Sequence, residues 1–199
     1  MKNKLIAAFL ILTAVPFLAS EVVAQQPANA ELLTHLKSIK AEFELGLTEI
    51  ASMTTKMNED LGQYYRDVEN ATIEFYNLLL KVELFSSAID TMFNILCTQI
   101  KPLQEIKFPA SSIAKGLIFN NDNFIENHKQ EIESILTKYN KHDAQSQEKD
   151  ASTLKERIAN YFFISPDNAM ITQMVAGRET AFILLQKIDA KIAELNEQQ

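Results

Sequence analysis

Cysteine is nearly missing from this chain. Cys97 stands alone among 199 residues, so no disulfide can form within it. The fold must be held by packing and hydrogen bonds instead. Cys97 ends the apolar stretch Met92-Phe93-Asn94-Ile95-Leu96-Cys97. It reads there as a small hydrophobe on a helix, and no sequence neighbour would activate a thiol. Glycine and proline are also scarce, at four and five. So few glycines leave little provision for the tight turns of β-hairpins. Two of the prolines, Pro16 and Pro27, precede the first helix of the mature chain. No segment alternates apolar and polar residues for long enough to read as a strand.

Chemistry-bearing motifs are absent as well. There is no Gly-x-Ser-x-Gly turn and no glycine-rich phosphate loop. A helical di-metal site needs Glu-x-x-His on each of two helices, and the chain has no such pair. Glu31 with His35, and His128 with Glu131, share helix faces and read as surface pairs. His142 has no nameable partner. The triplet Asn70-Ala71-Thr72 matches a glycosylation acceptor but falls inside a helix. No catalytic residue, cofactor or metal is expected. The net charge of −7 argues against nucleic acid and against anionic membrane surfaces, both of which reward clustered Lys and Arg.

What is present begins with an export signal. Met1-Lys2-Asn3-Lys4 is a basic start, and Leu5 to Leu18 is uncharged and apolar. That run of about 14 residues is shorter than the roughly 20 a spanning helix needs. Val22-Val23-Ala24 then offers slender residues for cleavage between Ala24 and Gln25. The expectation is a signal peptide over 1–24 and a single all-helical domain over 25–199, periplasmic or secreted, with no stable membrane span after cleavage. The plain Lys-Asn-Lys start resembles bacterial signals.

The mature part is all-α by periodicity. Leu36, Phe43, Ile50, Met57, Tyr64, Ala71 and Leu78 recur every seven residues, and Leu33, Leu47, Leu61, Val68, Phe75 and Val82 form a second row with gaps at Lys40 and Thr54. This is the apolar face of a long helix, on the order of 80 Å if unbroken from 29 to 84. A break is expected at Asn58–Gly62. Ser86-Ser87 either caps a second helix or continues the first, and Pro102 ends that segment. Shorter helices are expected at 111–118, at 122–139 and at 151–163. Residues 140–152 are polar and read as a mobile segment. Ser165-Pro166-Asp167 opens the last long helix, which runs to about Leu195. The predicted architecture is an elongated bundle of long N- and C-terminal helices with a shorter middle.

Function then has to come from surfaces. Tyr64 is expected in the core, with Tyr65, Arg66 and Asp67 outside. Tyr65, Phe163, Asn121 and Asp122 are the candidate partner contacts. Phe163 is chosen because two adjacent rings cannot share one helix face. The first reading is an exported interaction protein, host-directed or acting on a bacterial envelope partner, that binds through helix faces without turnover. The stripe also offers a surface for pairing with a second copy of the chain. The outline of signal peptide, long first helix, small middle and long last helix resembles the minor pilus subunits of type IV secretion systems. That resemblance implies an envelope assembly component, as an alternative. An enzyme or metal-binding bundle is a third reading.

Overall fold

The computed structural model describes residues 29–106, 110–139 and 153–198. The cleavage site at Ala24 and Gln25, and the polar segment 140–152, lie outside them. Among the described residues the chain is a helical bundle without strands. Helix α1 (Asn29–Leu79) is followed by α2 (Glu83–Thr98), a 3₁₀ turn (Leu103–Glu105), α3 (Ala110–Asn120), α4 (Asp122–Asn127), α5 (Lys129–Tyr139), α6 (Leu154–Ala159), a π turn (Asn160–Ile164) and α7 (Pro166–Glu197).

Helix α1 is not one rod. Gly62 leaves helical geometry with φ 55° and ψ −124°, inside the segment where the sequence predicts a break. The left-handed φ suits glycine, which has no Cβ to clash with the following carbonyl. The consequence is a reversal rather than a bend. Tyr65 Oη donates to Thr54 Oγ1 at 3.3 Å. In a straight helix eleven residues span about 16 Å, beyond the reach of these two side chains.

The contacts to α7 confirm two arms of opposite direction. In the first arm, residues 29–61, Asn29 bonds Gln198 at 3.2 Å and Lys40 bonds Asp189 at 2.6 Å, so it runs antiparallel to α7. In the second arm, residues 63–79, Tyr64 bonds Asn168, Glu69 bonds Arg178 at 2.6 Å and Tyr76 bonds Thr180 at 2.6 Å. That arm runs parallel to α7. The centre of the protein is therefore a three-helix bundle of two arms and α7, about 50 Å long at 1.5 Å per residue, against about 80 Å for the rod the heptads suggest.

Most of the predicted inward face survives the reversal. Leu33, Leu36 and Phe43 are buried in the first arm, as the heptads predict, together with Leu32 and Ile39. In the second arm Tyr65, Val68, Ala71, Thr72, Phe75, Tyr76, Leu78 and Leu79 are buried. Tyr64 is only half-buried, while Tyr65 is fully enclosed. The predicted assignment of these two tyrosines is thus reversed. Val68, Ala71, Phe75 and Leu78 keep their predicted inward places, and the exchange is confined to the tyrosines next to Gly62.

The middle helices cover the remaining apolar surface. Helix α2 begins at Glu83, after a turn at 80–82, and Ser86 Oγ donates to Leu80 O at 3.1 Å. The segment predicted as one helix over 122–139 divides at His128 into α4 and α5. Helix α6 starts at a complete capping box. Thr153 Oγ1 accepts from Glu156 N at 3.2 Å, and Glu156 Oε2 accepts from Thr153 N at 3.0 Å. Pro166 holds the first position of α7 and Asp167 lies in its first turn, though the Ser165 side chain makes no cap bond.

Two apolar clusters result. The larger gathers Leu36, Phe75, Leu79, Phe85, Leu96, Ile132, Phe162, Leu184 and their neighbours. Phe162 is fully buried and stacks on Phe75 at 4.8 Å between centroids. The smaller, at the end where the arms reverse, consists of Tyr65, Val68, Ile171, Met174 and Val175, with Ile50, Met53 and Met57 half-buried around it.

Candidate functional site

The end of the bundle formed by the Gly62 reversal and the start of α7 carries two of the exposed large apolar side chains among the described residues. Leu61, immediately before Gly62, is 41% exposed, and Ile164, just before Pro166, is 56% exposed. Topology places both at this end, because the first arm finishes where the second arm and α7 begin. Exposed carboxylates Glu59, Asp60 and Asp167 flank them.

About one turn along the chain from each lies a partly buried hydrogen-bonded pair, Tyr64 and Asn168. The Tyr64 hydroxyl donates to Asn168 Oδ1, and Asn168 Nδ2 donates to Tyr161 O at 2.7 Å. Asn168 is 1% exposed, so both ends of its amide are satisfied by the protein itself. The carbonyl it binds belongs to the π turn, and five residues on stands Pro166, which has no N–H to offer it. Asn168 thereby fixes the turn that turns Ile164 outward. Arg178 backs the second arm, bound to Glu69 and, at 3.3 Å, to Glu179.

The contacts predicted from sequence do not converge on this surface. Tyr65 was expected outside and is buried, its hydroxyl occupied by Thr54 and its pKa pushed up by that burial. Phe163 is half-buried against the main core, with Lys115 Nζ 5.8 Å from its ring centre. Asn121 accepts from Phe124 N at 3.2 Å and so caps α4. Asp122 is exposed but pairs with Lys155 at 3.0 Å, tying α4 to α6. Leu61 escaped notice because it sits in the heptad row. Ile164 carried a usable signal: in Tyr161-Phe162-Phe163-Ile164 four bulky residues run consecutively, and one helix face cannot bury all four.

His128 Nδ1 lies 3.6 Å from Glu131 Oε1. His35 was expected in a surface pair and is 8% exposed instead, on the inward face of the first arm. Cys97 is half-buried, and burial pushes its thiol above the ordinary value. Among the described residues no three of His, Cys, Asp or Glu converge. An open groove of about 870 Å³ lies between the second arm and helices α4 and α5. Its lining mixes Glu74, Glu126 and Glu131 with Lys81 and Lys129, and Glu74 is held by Lys138 and Tyr139, each at 2.6 Å. Among the described residues no helix is long and apolar enough to cross a membrane.

No protein-family model matches the chain, and neither a curated protein nor a solved structure matches it.

Proposed function

We propose that this chain is an exported, non-catalytic interaction protein that holds a protein partner at the hairpin end of its bundle. One observation carries the reading. Leu61 and Ile164 stand out from the same end of the molecule, each about one turn along the chain from the hydrogen bond between Tyr64 and Asn168. Exposed apolar side chains are what protein partners bury, and the carboxylates around them form a polar rim. The basic start and short apolar run of residues 1–18 support export.

The test combines location with surface disruption. The protein is fractionated from its producing cell and cross-linked in place, as wild type and as Leu61→Asp/Ile164→Asp. Leu84→Asp serves as the control, since Leu84 is 63% exposed and lies on α2. The expected result is mature protein outside the cytoplasm, with a cross-linked partner lost in the double variant and kept in the control. Full-length protein retained in the cytoplasm, or cross-links unchanged in the double variant, refutes the reading. Recovery in the medium or a host points to a host-directed effector, and recovery with the envelope points to an assembly component.

A further inference from the structure

Gly62 is the sole non-helical residue within the 51 residues of α1. A Cβ added there meets nothing within 4 Å, so only the backbone angle demands glycine. The apolar pattern, meanwhile, takes no account of the reversal. The spacing Leu36, Phe43, Ile50, Met57, Tyr64, Ala71, Leu78 passes through Gly62 without a skip, and the second row, Leu61, Val68, Phe75, keeps its seven-residue step across it. A real helix end shifts or stops such a register. Here the hairpin leaves Leu61 41% exposed and Tyr64 half out, while burial moves to Tyr65. The sequence is thus written for a straight helix as well as for the hairpin.

We propose that α1 has a second packing, in which the first arm swings out at Gly62 to continue the second arm as one helix and docks on a second copy of the chain. That copy returns its own first arm. Each contact broken within one chain is re-made between chains, because the receiving surface is the same: Asn29 on Gln198, Lys40 on Asp189, Glu42 on Gln104, and Leu36, Ile39 and Phe43 on the core. Two things differ. Gly62 becomes helical in both chains, and Leu61 and Tyr64 rejoin a continuous stripe. The hairpin monomer prevails when dilute, because exchange requires association and glycine resists helix.

The substitution Gly62→Ala shifts this balance in one direction. Alanine is strained at φ 55° and favoured in a helix, so two altered hinges per dimer raise the dimer association constant at least tenfold. Gly46→Ala is the control. Gly46 lies within the first arm with nothing within 4 Å of an added Cβ, so the change strengthens the helix without touching the hinge. Mass is read by light scattering after gel filtration. Arm geometry is read from spin labels at Thr48→Cys and Asn70→Cys, both exposed, in a Cys97→Ala background diluted with unlabelled protein. Within one chain the label spacing is under about 20 Å in the hairpin and about 33 Å in the rod. Dimeric Gly62→Ala at the long spacing, with Gly46→Ala monomeric, is the expected result. A monomeric Gly62→Ala, or a dimer that keeps the short spacing, overturns the proposal. Should Gly62→Ala not fold, wild type refolded at high concentration is read the same way. A dimer at the long spacing supports exchange, and its absence overturns it.

Discussion

The hydrogen bond between Tyr76 and Thr180 joins the second arm to α7 inside the core, at 2.6 Å and with both residues 2% exposed. Removing either partner tests whether that packing is as described. Tyr76→Phe keeps the ring, which meets Phe85 edge-on at 5.3 Å, and deletes only the hydroxyl. Thr180 then has a fallback, because a helical threonine can donate to the carbonyl four residues back. The expected cost is about 1 kcal/mol. Thr180→Val preserves shape but leaves the tyrosine hydroxyl buried without this partner, so it should cost more, about 1–3 kcal/mol. In the double variant both polar groups are gone, and the total should fall short of the sum of the singles. The tyrosine adds a pH signature. Burial pushes Tyr76 up to about 12 from an ordinary value of 10.0, against the smaller opposing effect of the Thr180 hydrogen bond. The fold holds the protonated form, so its contribution is complete below pH 10 and is lost as pH climbs through 12. Across that window wild type should lose up to about 1.4 kcal/mol more per pH unit than Tyr76→Phe. Urea denaturation from pH 8 to 11.5 measures all of this. Equal slopes for the two proteins, or strictly additive single variants, would refute the reasoning.

Further substitutions probe other parts of the fold. Phe162→Ala removes a fully buried ring stacked on Phe75, and should cost about 3–5 kcal/mol by the same assay. Leu61→Ala should change stability by less than about 0.5 kcal/mol, whereas Val68→Ala, one heptad later and 2% exposed, should cost about 1–3 kcal/mol. Equal costs would mean that Leu61 is buried and the arms are not reversed. Thr153→Ala breaks the capping box and should cost about 1 kcal/mol, with faster amide exchange confined to the start of α6. Glu69→Gln should destabilise more than Glu179→Gln, because Arg178 meets Glu69 at 2.6 Å and Glu179 at 3.3 Å and the Glu69 side chain is the less exposed. Thermal melts of the two variants at low and high salt decide the order.

Much of the fold follows from local chemistry and was legible in the sequence. Scarce glycine and proline, seven-residue periodicity and the Ser165-Pro166-Asp167 start dictate helices, because capping, propensity and the width of an apolar stripe are properties of neighbours along the chain. The break at Gly62 was visible for the same reason. The direction of the chain after Gly62 was not. A glycine makes a break cheap without saying whether the helix bends slightly or doubles back. Only contacts made across more than 100 residues, Lys40 with Asp189 from the first arm and Tyr64 with Asn168 from the second, select reversal. That choice made Tyr65 core, put Leu61 outside and set Ile164 beside it at one end. The tertiary structure alone decided which apolar side chains stay exposed, since exposure is what remains after distant segments have packed.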